Sequence, residues 1–299
     1  MRSFILLVTP MLHIACGGRP TSLDSSADLE DTAIGGEPEL SGWKDISAGH
    51  YFTCGIDETA TLQCFGKNDY GQTDAPSGNF LAVSAGSHHA CAVEIDGGLQ
   101  CWGWNENGQA TPPDGDFVNV SSGGMHTCAL NTDSGVQCWG LNEEEQTAAP
   151  EDRFVTISVG FVHSYGITTR GYTEVWGSDE FGQASHPDDV NFIDIGSGEA
   201  HSCGVQDDGM ARCWGEDSHS ESSPPDGIFV SVDAGSIHTC GLMADASVAC
   251  WGHDWRGQST PPSSEFRSVS AGGEHSCGIR TDGEPECWGL DDDGQSTPP

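Results

Sequence analysis

A histidine and a pair of cysteines recur together along the chain and are its first candidates for chemistry. In the unit that opens at Phe80, His89 stands two residues before Cys91, and Cys101 follows ten residues after that. A histidine nitrogen and two thiolates are ligands that Zn²⁺ takes in proteins, whereas two cysteines alone can form a disulfide. Twelve of the 13 cysteines fall into six such pairs. The pairs are Cys54 with Cys64, Cys91 with Cys101, Cys128 with Cys138, Cys203 with Cys213, Cys240 with Cys250, and Cys277 with Cys287.

Differences between the units favour disulfides over a metal. The first unit keeps both cysteines but has Phe52 in place of the histidine. The fourth keeps His163 but has Tyr165 and Val175 at the two cysteine positions. Ligands of one metal ion would be lost together, and bridges between units would leave unpaired cysteines elsewhere. We therefore predict six disulfides, each within its own unit, and neither a metal site nor a cofactor. Loops rich in oxygen ligands leave Ca²⁺ open, although no spaced run of acidic ligands repeats.

The chain shows no arrangement that is typical of an active site. The histidines that accompany the cysteine pairs recur with the repeat, whereas a catalytic group needs one tuned environment. We find no Gly-x-Ser-x-Gly elbow, no phosphate-binding glycine loop with lysine and no His-Glu-x-x-His motif. Carboxylate runs such as residues 291–293 are treated as solvated surface in a chain with 46 acidic residues. We predict that no residue is catalytic and that the protein is not an enzyme.

The elements that must position these residues follow from a seven-fold repeat. Equivalent positions such as Cys54, Cys91 and Cys128 are 37 residues apart, with one step of 38 between Tyr165 and Cys203. A bulky aromatic residue opens each unit. These residues are Trp43, Phe80, Phe117, Phe154, Phe192, Phe229 and Phe266.

One unit, residues 80–116, illustrates the strands. Apolar segments at 80–85, 89–93 and 99–103 are typical of three short strands, and the Asp-Gly-Gly at 96–98 indicates a hairpin turn. Three such strands cannot cover their own apolar faces, but seven sheets around an axis can. A whole number of units favours a closed ring over an open solenoid. The fold class predicted for residues 42–299 is all-β, a seven-bladed β-propeller of repeats of about 37 residues.

The repeated motif resembles that of a known family. The pattern Gly-x-x-His-[Ser/Thr]-Cys, followed by Cys-Trp-Gly and Gly-Gln, is similar to the regulator-of-chromosome-condensation repeat, and its short period resembles the bacterial branch of that family. The resemblance spans residues 42–299. It implies a seven-bladed propeller but no single activity, because members include a guanine-nucleotide exchange factor, enzyme inhibitors and surface proteins.

The N-terminal segment predicts export. Residues 1–15 carry Arg2 and a short apolar stretch, which is typical of a signal peptide, and the small residue before Cys16 resembles a bacterial lipobox. We expect lipidation at Cys16, with a simple secretory signal as the alternative. Residues 16–41 then form a flexible acidic linker. Disulfides fit an extracytoplasmic location, on the outer membrane or cell surface.

Charge and aromatic residues point to a protein partner. With 10 basic and 46 acidic residues the net charge is −36, which argues against nucleic acid and anionic lipid and favours a basic partner. Membrane contact is expected only through the lipid anchor, and the protein is expected to be a monomer. Variable loops on one face of the ring carry aromatic residues that we predict to contact the partner. They are Tyr51, Tyr70, Trp104, Phe161, Phe181 and Trp255. Inhibition of an extracytoplasmic enzyme, carbohydrate binding and, by family analogy alone, guanine-nucleotide exchange are the alternatives.

Overall fold

A computed structural model of the chain describes residues 42–187 and 190–299. The predicted signal peptide, Cys16 and the linker lie outside these residues. The regular structure within them is β-strand, and the described residues include no helix long and apolar enough to cross a membrane. The strands are β1 (Trp43–Ala48), β2 (Phe52–Asp57), β3 (Leu62–Gly66), β4 (Phe80–Ala85), β5 (His89–Glu94), β6 (Leu99–Gly103), β7 (Phe117–Ser122), β8 (His126–Asn131), β9 (Val136–Gly140), β10 (Phe154–Val159), β11 (His163–Thr168), β12 (Thr173–Gly177), β13 (Phe192–Ser197), β14 (His201–Gln206), β15 (Ala211–Gly215), β16 (Phe229–Ala234), β17 (His238–Met243), β18 (Val248–Gly252), β19 (Phe266–Ala271), β20 (His275–Arg280) and β21 (Pro285–Gly289).

The strands form seven antiparallel sheets of three, which confirms the seven-bladed propeller. Each blade uses three consecutive strands of one repeat, and the strands predicted for residues 80–116 agree with β4, β5 and β6 to within one residue. The middle strands are buried almost throughout, because blades pack on both of their faces.

The hydrophobic core is divided among the boundaries between blades. At one boundary Cys91 and Val93 pack against Phe117 and Val120 of the next blade. The opening aromatic residue of each unit is therefore the side chain that joins one blade to its neighbour. Trp43 does the same against Ile279 of the last blade, so the same kind of packing closes the ring.

All six predicted disulfides are present, each within one blade. They join Cys54 to Cys64, Cys91 to Cys101, Cys128 to Cys138, Cys203 to Cys213, Cys240 to Cys250, and Cys277 to Cys287. In each pair the two residues are directly opposite in the register of the second and third strands, with Cα–Cα distances of 4.0–4.1 Å.

The two cysteines of a pair differ in burial. The first, on the middle strand, is fully buried between blades, whereas its partner on the third strand is only partly buried and packs at the margin of the same core. The partly buried cysteines are Cys64, Cys101, Cys138, Cys213, Cys250 and Cys287. Each bridge closes a short loop and contributes about 2–3 kcal/mol in the chain-entropy treatment. Six disulfides are typical of proteins that fold in an oxidising compartment.

The fourth blade replaces its disulfide with a polar contact to the fifth. Tyr165 is fully buried opposite Val175, and its hydroxyl donates to the carbonyl of Gln183 at 2.9 Å. The same hydroxyl accepts a hydrogen bond from Nε1 of Trp214 at 2.9 Å. In place of a disulfide within the fourth blade, the structure therefore has hydrogen bonds that connect the fourth and fifth blades.

Side chains, rather than a shared strand, seal the ring. At each boundary a serine or aspartate of one first strand accepts a backbone N–H of the next first strand, which would otherwise be an unpaired sheet edge. Ser84 Oγ, for example, accepts the N–H of Ser122 at 2.9 Å. Ser270 Oγ accepts the N–H of Ala48 at 3.0 Å and closes the circle.

The periodic histidines form a second set of links between blades. Nε2 of His89 lies 2.8 Å from the hydroxyl of Thr127, and that hydroxyl donates to the carbonyl of Gln109, so the histidine is the donor. Burial lowers the pKa of His89 to about 3, so the ring is neutral at pH 7. The six pairs are His89–Thr127, His126–Ser164, His163–Ser202, His201–Thr239, His238–Ser276 and His275–Thr53.

The seventh boundary lacks both members of this pair. Phe52 replaces the histidine and Ala90 replaces the hydroxyl residue, and both lie in one buried apolar cluster. Removing a donor and its acceptor together leaves no unsatisfied group, so the exchange costs little. The histidines therefore act as structural residues, as their periodicity predicts.

Candidate binding face

The two ends of the ring are built from different connections between strands. One end carries the turns between the first and second strands together with the loops that follow the third strands, and we call it the variable face. The turns are residues 49–51, 86–88, 123–125, 160–162, 198–200, 235–237 and 272–274. The opposite end carries the hairpin turns between the second and third strands.

A repeated glycine brings the turns of the variable face into contact around the axis. A Cβ on Gly123 would lie 2.1 Å from the carbonyl oxygen of Gly160 in the next blade. Equivalent close approaches occur at Gly49, Gly86, Gly160, Gly198, Gly235 and Gly272. The backbone therefore lines a shallow axial depression of about 80 Å³, and side chains that follow the glycines project from a rigid base.

Four neighbouring blades form an apolar depression off the axis, which we call the aromatic cleft. Its volume is about 120 Å³, and its lining consists of Tyr70, Ser87, His88, Trp104, Gly124, Met125 and Phe161. The Tyr70 ring lies 5.2 Å from the His88 ring and 6.1 Å from the Trp104 ring, centroid to centroid. Trp104 is also 6.1 Å from His88. Three rings thus form one wall in edge-on and tilted contacts.

Backbone hydrogen bonds hold the walls of the cleft in place. The N–H of Trp104 donates to the carbonyl of His88 at 2.8 Å, which ties the exit of β6 to the turn between β4 and β5. The N–H of Tyr70 donates to Oε1 of Gln72 at 2.8 Å. A Cβ on Gly124 would lie 2.7 Å from the Phe161 ring, so this position admits only glycine beside that ring.

The histidines next to the cleft are neutral at pH 7. Burial, with smaller contributions from His88 and Lys67, lowers the pKa of His50 to about 4. Burial and Lys67 also lower the pKa of His88. Tyr51 stacks on His50 at 4.2 Å, and Lys67 Nζ lies 5.4 Å from the Tyr51 ring centroid.

A second aromatic group lies elsewhere on the variable face. Trp255 is 87% exposed and packs against His253 at 4.6 Å, and His253 contacts the ring of His219 at 5.0 Å. Gln258 Nε2 donates to Nδ1 of His253 at 2.8 Å and fixes the orientation of that ring. The group therefore offers one broad exposed indole on a fixed imidazole support.

The structure brings together part of the predicted contact set. Tyr70, Trp104 and Phe161 line the aromatic cleft, and Tyr51 joins it through the histidines. Phe181 is half-exposed on another loop, and Trp255 belongs to the second group. Whether these six side chains touch a partner stays a prediction.

Sequence reasoning missed five residues of the two groups, namely His50, His88, Met125, His219 and His253. The residue type at these positions differs between units while the surrounding repeat stays constant, and that variation is the signal that could have identified them. The first three occupy the two positions after the axial glycine, where the seven units disagree. Within the described residues, no group of three or more His, Cys, Asp or Glu side chains is placed to hold a metal ion.

Comparisons with known proteins agree with this architecture. The sequence profile of the Regulator of chromosome condensation (RCC1) repeat matches residues 43–72, 80–109, 117–146, 192–221 and 266–295, half of the chain. A search of curated proteins found no significant match.

Solved structures share the fold at low identity. The CRINKLY WD40 ectodomain of the Arabidopsis thaliana receptor kinase ACR4 is 24% identical, with a TM-score of 0.71, over 84% of this chain and 98% of that one. Human WBSCR16 is 16% identical, with a TM-score of 0.71, over 81% and 88%. Yeast RCC1 (Prp20), solved bound to Kap60, is 17% identical, with a TM-score of 0.67, over 84% and 81%.

Proposed function

Because the chain belongs to the RCC1 repeat family, whose propellers are scaffolds for binding, we propose that it binds another protein through its variable face and catalyses no reaction. The observation that carries this proposal is the aromatic cleft, together with the exposed Trp255. Aromatic anchors within a charged surface are typical of protein-binding sites, where they supply most of the binding energy.

Structural neighbours support a protein partner. Yeast Prp20 was crystallised with Kap60, and a second structure of it is described with its binding to Gsp1p and histones. Inhibition of an extracytoplasmic enzyme is a more specific form of such binding, supported only by the resemblance to the family's bacterial branch.

We also propose that the protein is exported and anchored by lipid at Cys16. The six disulfides support the oxidising compartment. Mass spectrometry of the mature protein should find Cys16 at the N-terminus with attached acyl chains, and Cys16→Ala should abolish that mass. A mature form that begins elsewhere without lipid would contradict the anchor but not the binding face.

The binding face is tested with variants of exposed aromatic residues at the two ends of the ring. Partners captured from the extracytoplasmic fraction would be identified and their affinity measured for wild type, for Trp104→Ala with Trp255→Ala, and for Tyr172→Ala. Tyr172 is the matched control, because it is 60% exposed but lies in a hairpin turn at the opposite end. Loss of a hot-spot residue costs about 2 kcal/mol, so we expect the double variant to bind at least about 30-fold more weakly. Unchanged affinity of the double variant would contradict the assignment.

A further inference from the structure

The size of the aromatic cleft limits its occupant to one chemical group. The cleft measures about 120 Å³. An apolar cavity of about 150 Å³ takes a single benzene molecule. The cleft therefore accepts one side-chain end or headgroup rather than a segment of peptide.

The lining favours a group without N–H donors. Tyr70, Trp104 and Phe161 present rings and Met125 presents a thioether. The side-chain acceptors among the seven lining residues of the described chain are the hydroxyls of Tyr70 and Ser87 and one nitrogen of neutral His88, and none of the seven is a carboxylate. A primary ammonium carries three N–H donors and a guanidinium five, and each needs an acceptor when it leaves water. A fully methylated ammonium has none, and ring faces attract it within about 6 Å of their centroids.

The net charge of −36 attracts cations to the protein as a whole, although next to His88 the charge of Lys67 acts more strongly than that of Asp69. Asp69, Glu106 and Glu143 are exposed on the loops that follow β3, β6 and β9. Lys67 lies on the first of these loops and pairs with Asp69 at 3.2 Å. The lowered pKa of His88 keeps that ring neutral at pH 7, so it does not repel a bound cation.

We infer that the aromatic cleft binds a quaternary ammonium group, presented by the partner protein as a trimethylated lysine side chain. The inference rests on the proposed function, because it names the group that the variable face takes from its partner. An unmethylated lysine would find few acceptors in the cleft for the N–H groups that leave water, and an apolar side chain would gain nothing from the attraction of ring faces for a cation.

Four probes test the inference on the purified protein by calorimetric or ligand-observed NMR titration. They are a basic peptide with trimethyllysine, the same peptide with lysine, the same peptide with a neutral tert-butyl isostere, and choline. We expect trimethyllysine to bind at least about tenfold more tightly than lysine and the isostere, from the cation–ring attraction. Choline has the same charged group without the peptide and should bind no more tightly than the trimethyllysine peptide. Equal binding of the isostere would show an apolar site, equal binding of lysine would show general attraction to acids, and tighter binding of choline would show a headgroup site. Each of these results, or no binding at all, overturns the inference.

Variants that keep apolar volume but remove a ring sharpen the test. Trp104→Leu and Phe161→Leu should lose the preference for trimethyllysine over the isostere, while affinity for the isostere changes less than about twofold. Trp255→Leu, on the same face but outside the cleft, should keep the preference. If either cleft variant fails to fold, Tyr70→Leu replaces it, because Tyr70 is 51% exposed and contributes little to the core. A preference retained in the cleft variants would overturn the inference.

The two proposals fail in different ways. Loss of partner capture by the Trp104→Ala and Trp255→Ala double variant, without a preference for trimethyllysine, keeps the binding face and rejects the ammonium group. Unchanged capture by the double variant rejects the binding face, whatever the peptides do.

Discussion

The boundary between the second and third blades allows a direct test of what the buried histidines do. His89 donates to Thr127 there, whereas the preceding boundary has Phe52 and Ala90 at the same two positions. The double variant His89→Phe with Thr127→Ala therefore copies a pair that the protein already uses. Gln109 keeps a partner for its carbonyl in this variant, because Trp139 Nε1 donates to it at 2.8 Å.

The pH dependence of this pair follows from the lowered pKa. His89 has a pKa of about 3 in the folded protein, against an ordinary value of 6.5. Between pH 6.5 and pH 3 the His89 imidazole is therefore protonated in the unfolded chain but not in the folded chain. The free energy of unfolding consequently decreases as pH falls below 6.5. At pH 5 this linkage costs about 2 kcal/mol for one histidine, and it is nearly absent at pH 7.

The measurement is the free energy of unfolding in guanidinium chloride, with disulfides intact, at pH 7 and pH 5. Thr127→Ala alone leaves a buried N–H without an acceptor and should cost about 1–3 kcal/mol at pH 7. The double variant should recover most of that loss and should lose about 2 kcal/mol less than wild type between pH 7 and pH 5. An equal loss in the double variant and wild type would refute the argument that His89 stays neutral in the fold.

Three further predictions concern other parts of the ring. Gly123→Ala should reduce the free energy of unfolding by about 3 kcal/mol, because the added Cβ would collide with the backbone of the next blade. The control is Gly108→Ala, whose Cβ would face open space. It should cost about 1 kcal/mol, because Gly108 has a positive φ. Tyr165→Cys with Val175→Cys should form a seventh disulfide, because the two residues are directly opposite each other in the strand register. A thiol count on the denatured, unreduced variant should then equal that of wild type. Two extra thiols would contradict this prediction. Asp194→Asn should stabilise the protein at pH 7 by no more than about 3 kcal/mol, because burial raises the pKa of Asp194 to about 6. This gain in stability should disappear towards pH 4, where the carboxyl group is protonated. A gain that does not depend on pH would contradict the raised pKa of Asp194.

Local patterns in the sequence were sufficient to predict the blades and their bridges. Cys91 and Cys101 are equidistant from a hairpin turn, so the register that pairs them follows from the turn itself. The role of Tyr165 was not predictable in this way. Its acceptor, the carbonyl of Gln183, and its donor, Trp214, lie in other parts of the chain that meet only when two blades pack.

The variable face shows the same limit. The strand order places the loops with Tyr70, Trp104 and Phe161 at one end of the ring, and spacing alone predicts that. Their convergence on one cleft depends on side-chain directions set by contacts between blades, such as the bond from Trp104 to the His88 carbonyl. His88 and Met125 were overlooked because one unit gives no reason to prefer them over their neighbours.

The exchange of Phe52 and Ala90 for a histidine and a hydroxyl has a consequence for how such a gene can change. A duplicated or transposed unit would retain the period. The unit with Phe52 is followed by a unit with Ala90, and each of the six units with the histidine is followed by a unit that bears a hydroxyl. The order of the units is therefore constrained, because a rearrangement that places a histidine unit before a unit without the hydroxyl would leave a buried imidazole N–H without an acceptor.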